Sequence, residues 1–372
     1  MPSNAWGRGL SVAWLVALLA AAPWARGDEP ALFQIRQGEQ SGLMDATGQV
    51  VVPAEFPQAP VIGEPYIRVR KGTRTAYYDH AGNLAIPPQD QVGTPFAEGL
   101  AAVLLPGPDG KPAWGYMDAK RQVAIAPRFA TAEPFSGGLA QVGVADEWGQ
   151  VKQGFIDRTG RLVVPARYAK THAAKEGVAR VETEKGIRAF DGEGRDITPE
   201  GVDFVGVAAE GRVRIWSARQ QGFMDTAGKV VAPPRYDNAN EFKDGMARVR
   251  LDGKYGYIDR EGRLAVPPRF DTAEDFSDGL ALVKEGERRF FIDKTGKVVL
   301  EAPWERVSAF ADGLAAAKDG TLWGYVDKAG RWAVPPRFSF ARAFWKGLAP
   351  VTEGRRSGWI DREGRYVWQE NP

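Results

Sequence analysis

Apolar and polar residues alternate along most of this chain in short runs, and no stretch holds a helical period. In "GLALV" (Gly279–Val283) the leucines at 280 and 282 share one face, the signature of a half-buried strand. "GYIDR" (Gly256–Arg260) is aromatic and β-branched and reads as a second strand. In "GRLAVPP" (Gly262–Pro268) Leu264 and Val266 share a face. The two prolines are then expected to end the ladder, because proline donates no hydrogen bond. A linker, "RFDTAEDFSDG" (Arg269–Gly279), carries two aromatics into the next first strand. The fold class expected is all-β.

The three-strand pattern recurs. With the aspartate of "GYIDR" as marker, it returns at Asp45, Asp79, Asp118, Asp157, Asp191, Asp225, Asp259, Asp293, Asp327 and Asp361. The spacing is 34 residues except for two steps of 39, where five residues follow the first strand as loop insertions. These insertions contain "PGPDGK" (Pro106–Lys111) and "ADEWGQ" (Ala145–Gln150). Ten units of fixed period make one repeat array.

Repetition settles what the aspartate is for. Asp-x-x-Gly falls between the second and third strands, where a hairpin turns. Aspartate accepts hydrogen bonds from main-chain N–H groups ahead of it, and the glycine takes the left-handed conformation. Ten catalytic carboxylates are not needed, and one oxygen donor per loop does not hold Ca²⁺. Unit three has Arg121 in the glycine slot, which costs roughly 1 kcal/mol or forces a different turn.

Composition adds compartment and removes some chemistries. Net charge is +2 with no block of like charge, against nucleic-acid binding. Arg8 followed by the apolar run Leu10–Ala22 reads as a signal peptide over residues 1–27, cut before Asp28. That run is too short to span a bilayer, and the mature chain shows no second one. Its loss removes Arg8 and Arg26, taking 49 basic residues to 47, equal to the 47 acidic ones. The chain has no cysteine, hence no acylation site, disulfide or thiolate chemistry, as suits an oxidising periplasm.

The combined pattern "F-x-x-G-L-A-x-V", "G-[YF]-[IM]-D-x-x-G" and "V-P-P-R-[FY]" resembles the bacterial WG-repeat family. The Trp-Gly pair itself stands at Trp114-Gly115 and Trp323-Gly324. Elsewhere the glycine has another partner, and it is absent in units five and eight. The resemblance spans Ala31 to Trp368. It implies a β-repeat interaction scaffold, often exported, with no enzyme activity and no named ligand. Single three-stranded sheets are unstable alone and must share a core with neighbours. Ten units exceed the usual four to eight blades, and no terminal strand is left to complete a shared one. An open or loosely closed propeller-like or superhelical array over residues 28–372 is therefore expected.

Candidate sites are few. His80 and His172 lack partners at ligand spacing and read as exposed turn and linker residues, so neither metal, cofactor nor catalysis is expected. Arg128, Arg167, Arg235, Arg269 and Arg337 recur in "PPRF"-like segments. They form a row that meets an anionic glycan or, alternatively, stacks on neighbouring aromatics. Phe96, Phe135, Phe242, Phe276, Phe310 and Phe344 hold one column and read as core. Trp148 stands outside every column, within an insertion. With Asp109, Lys111, Asp146 and Glu147 it marks a candidate binding rim. The function expected is an exported, non-enzymatic scaffold, periplasmic or secreted, for another envelope or extracellular protein. The alternative is a carbohydrate- or peptidoglycan-binding module.

Overall fold

The computed structural model describes residues 31–89 and 93–370; the segment read as a signal peptide lies outside them. All its regular elements are strands, grouped in ten antiparallel sheets, one per marker aspartate. No helix among the described residues is long and apolar enough to cross a membrane.

Unit seven shows the design. A leader strand Asn238–Ala239 pairs with the first strand Met246–Leu251, which pairs with Lys254–Asp259 and that with Leu264–Phe270. The order leader, first, second, third leaves the third strand on an edge. Here the structure corrects the sequence reading, because the ladder does not stop at the prolines. Tyr257 pairs with Val266 and Tyr255 with Phe270, so Gly256 alone faces Pro267, Pro268 and Arg269 across a bulge. An edge strand tolerates proline because its N–H side needs no partner.

The bulge explains the glycine of the Trp-Gly pair. A Cβ at Gly256 would lie 2.5 Å from the Val266 carbonyl oxygen and 2.6 Å from the Pro268 nitrogen. Gly115, Gly154, Gly222 and Gly324 meet the same segment at 2.4–2.6 Å. Unit two, which the sequence reading passed over, also lacks the glycine. There Ala76 faces only Pro87 and Pro88, so a shorter bulge leaves room for a methyl group. In unit eight the glycine slot is Phe290, and its third strand, Val298–Glu301, runs past it without the proline bulge.

All ten marker aspartates form the expected turn. At Asp259 the side-chain Oδ1 accepts from the N–H groups of Glu261 (3.0 Å) and Arg263 (2.9 Å), and Gly262 has φ of +78°. Arg121 adopts the left-handed conformation outright, at φ +66°. The carboxyls of Asp45, Asp157, Asp191, Asp259, Asp293, Asp327 and Asp361 are held low. The Arg331 N–H lowers Asp327 first, and the Thr295 hydroxyl lowers Asp293. At Asp259 partial burial pushes upward but is outweighed by the Arg263 N–H and guanidinium. A depressed folded-state pKa contributes stability above the unfolded carboxylate pKa, and this is lost as pH falls through the folded value. The melting temperature should stay flat from about pH 8 to 5 and drop below about pH 4. A flat profile to about pH 2 in a pH-melting series contradicts this.

The core is distributed between units. Ten buried apolar clusters sit at ten junctions, from Leu32, Phe56, Ile67 and Val69 between units one and two to Tyr325, Phe338 and Phe344 between nine and ten. The tenth cluster joins unit ten to unit one, through Leu348 against Phe33, Ile35 and Met44. Turn glycines abut the preceding unit: a Cβ at Gly262 would sit 2.2 Å from the Val231 oxygen, and one at Gly82 2.4 Å from that of Val51. Gly48 stands in the same relation to Val367, at 2.5 Å. The array is therefore closed, by the ordinary interface and without a shared strand.

Candidate functional site: the seam between units ten and one

Two devices link neighbouring units at many junctions, and both are absent at the seam, as they are between units four and five, where Phe155 meets Ala174 and Gly137 takes the acid position. The first is an aromatic staple. At six junctions an aromatic on the second strand meets the phenylalanine that opens the next unit, as in Tyr116–Phe135 at 4.9 Å, Tyr257–Phe276 and Tyr325–Phe344 at 4.7 Å, and Phe291–Phe310 at 4.9 Å. The tyrosine hydroxyls donate to main-chain carbonyls of the next unit, as Tyr257 does to Glu274 (2.6 Å). Burial accordingly pushes the Tyr77 phenol up to about 12 and those of Tyr257 and Tyr325 higher. In unit ten the aromatic is Trp359, and the sequence position matching the phenylalanine is Asp28. Trp359 instead packs edge-on against Phe33 (5.2 Å) and donates its indole N–H to the Gln34 carbonyl (2.9 Å).

The second device is a ladder of acids on two-residue turns. Glu176 accepts from the N–H groups of Glu210 and Gly211, and Glu210 from those of Asp244 and Gly245. Asp244, Asp278 and Asp312 accept from Gly279, Gly313 and Gly347. Bases cross-link the rungs, as Arg260 does to Glu210 (2.9 Å) and Lys294 to Asp244 (2.8 Å). In unit ten the acid position is Lys346, whose ammonium lies 5.3 Å from the Trp345 ring.

What results is a groove of about 480 Å³ with Phe33, Phe340, Trp345, Trp359 and Trp368 among its walls. Phe340 and Trp345 are 45% and 49% exposed. In the other units the Trp345 position holds a small or polar residue, such as Ser277 in unit eight, while the Phe340 position holds another exposed aromatic only in unit six, Phe204. Arg36 and Arg342 edge the groove against one carboxylate, Glu370. Sequence reasoning missed this site. The signal available was two residues of unit ten, Trp345 and Lys346, that depart from their columns.

The residues singled out from sequence are placed elsewhere. Arg128, Arg167, Arg235, Arg269 and Arg337 each lie over the aromatic that follows, at 4.7–5.4 Å. Arg128, Arg269 and Arg337 also donate to the turn-glycine carbonyl of the next unit. The six column phenylalanines are buried. Each insertion forms its own hairpin tip. Asp146 repeats the marker turn, accepting from the Trp148 and Gln150 N–H groups, which leaves Trp148 81% exposed beside Glu147. Asp109 accepts from the Lys111 N–H and pairs with its ammonium at 3.8 Å. Neither histidine is fully exposed, contrary to the sequence reading. His80 contacts the Gly63 carbonyl (2.9 Å) and His172 the Glu182 carboxylate (3.1 Å), both half-buried. Among the described residues no three potential metal ligands gather.

Among solved structures the chain is similar to a eukaryotic initiation factor (12% identity, 92% of this chain and 96% of that one, TM-score 0.49). It is also similar to Hsv2 of Kluyveromyces lactis (13% identity, 52% of this chain and 74% of that one, TM-score 0.30). No curated protein matches it. The WG containing repeat family matches residues 42–72, 76–105, 114–148, 154–185, 222–255, 255–288, 290–320 and 323–355. These matches cover well over half of the chain, in stretches whose glycines and aspartates build the bulges and turns described above. The protein belongs to the WG containing repeat family.

Proposed function

We propose that this protein is an exported, non-enzymatic scaffold that docks another envelope protein in the seam groove. The observation that carries the reading is the half-open aromatic wall at the junction between units ten and one. Exposed tryptophan and phenylalanine in a preformed groove make strong anchors, because a rigid site orders little on binding. The two rim arginines against one glutamate favour a segment with an apolar anchor flanked by acidic residues. Export rests on the apolar N-terminal run, and appearance of a mature chain beginning at Asp28 in the periplasmic or secreted fraction tests it.

A second reading is carbohydrate binding, supported by the half-exposed faces of Trp345 and Phe340. One experiment separates the two. The mature chain and its Trp345→Ala/Phe340→Ser variant are immobilised and challenged separately with envelope proteins and purified cell-wall polymer. Loss of a specific captured protein in the variant, with unchanged melting, supports the groove. Equal capture by both removes it, and variant-sensitive retention of polymer alone moves the function to the glycan.

A further inference from the structure

A second crevice lies between units eight and nine, and the repeat itself indicates what fills it. The position between the alanine and valine of "G-L-A-x-V" looks into the junction with the next unit. In units two, six and seven it holds Arg68, Arg214 and Arg248, each partly buried. Each guanidinium crosses the junction and donates to a carbonyl on the next unit's leader segment: Gly93 at 2.9 Å, Ala239 and Ala273. An acid accompanies it. Asp275 lies 3.6 Å from the Arg248 Nε, and Glu241 favours the charged forms of Arg180 and Arg214 against the burial that lowers both.

In unit eight this position is Leu282, and in unit nine Ala316. Leucine reaches no carbonyl, and the junction opens into a cavity of about 850 Å³ that adjoins another of about 480 Å³. Both are lined by Glu274, Leu282, Val307 and Ser308. The carbonyl that corresponds to Ala273 is that of Val307. Nearby Glu210 and Asp244 already hold Arg260 and Lys294. Glu274 is exposed and forms no ion pair among the described residues.

We propose that this crevice receives an arginine side chain from an extended segment of a partner protein. The guanidinium donates to the Val307 carbonyl, as Arg248 does to that of Ala273 one junction earlier, and pairs with the Glu274 carboxylate of unit eight, because Ala309 stands where Asp275 does beside Arg248. Arginine suits the place because its planar fork serves a carbonyl and a carboxylate at once and remains charged when half-buried. The site is independent of the seam groove.

The test titrates the mature chain with acetyl-Gly-Arg-Gly-amide and with its citrulline counterpart, which keeps the shape and loses the charge, following main-chain amide shifts by NMR. The arginine peptide should saturate, with shifts centred on Val307 and Ser308, and bind at least about tenfold tighter than the citrulline peptide. Leu282→Arg, which supplies the side chain from within, should abolish binding. Glu274→Gln, an exposed change that leaves melting unaltered, should weaken it several-fold even if Leu282→Arg folds poorly. The Trp345→Ala/Phe340→Ser variant should bind like the parent. Absence of arginine-peptide binding by the parent, equal binding of the two peptides, parent-like binding by a folded Leu282→Arg, or loss of binding in the seam variant overturns the proposal.

Discussion

Gly262→Val should cost about 3–5 kcal/mol of stability, while Gly279→Ala should cost only about 1 kcal/mol. Both glycines have positive φ, +78° and +82°, so both substitutions meet backbone strain. They differ in surroundings. A Cβ at Gly279 meets nothing within 4 Å, whereas at Gly262 it falls 2.2 Å from the Val231 oxygen and 2.9 Å from its carbonyl carbon. Those atoms belong to the third strand of unit six and cannot rotate away as a side chain would. Valine adds a branch where left-handed backbone is least tolerant. Denaturant unfolding of the two variants measures the difference, and equal costs would contradict a contribution from the inter-unit contact.

Phe276→Ala is expected to cost about 3–5 kcal/mol, the range for emptying a buried phenylalanine site. Its ring is 1% exposed and packs 4.7 Å from Tyr257, whose hydroxyl is fixed by the Glu274 carbonyl. The backbone on both sides is tied into sheets, so the cavity cannot collapse. Phe340→Ser, in the half-exposed seam wall, should cost little on unfolding. Similar losses for the two would mean that the seam is as tightly stapled as the other junctions.

Much of this architecture is readable in the sequence because each unit obeys local rules. Asp259 and Gly262 identify a turn by their own chemistry, and ten copies remove the ambiguity of one. Phe276 declares itself core by recurring. Two features escape local rules. The third strand continues through Pro267 and Pro268 because it is an edge strand bulged around Gly256, and edge position belongs to the sheet rather than to the proline. The seam groove exists because Phe33 and Trp359, more than 300 residues apart, are brought within 5.2 Å. No periodicity along the chain specifies whether its ends meet. The arginine row shows a different limit. Repetition places Arg269 and Arg337 in line, but only packing reveals that each lies on its neighbouring aromatic ring.

The central claim is that a tenth junction, with its own buried cluster and the same turn-glycine contact as the others, closes the ring. Because the chain has no cysteine, spin labels can be placed in pairs without background. One pair spans the seam, Gln49→Cys with Gln369→Cys, on exposed positions beside the Gly48–Val367 contact. The control pair, Arg263→Cys with Pro233→Cys, occupies the corresponding positions beside the Gly262–Val231 contact between units six and seven. Double electron–electron resonance should give two short, narrow distance distributions that superimpose. A long or broad distribution across the seam, with the control pair still short, would contradict closure and make the array an open superhelix.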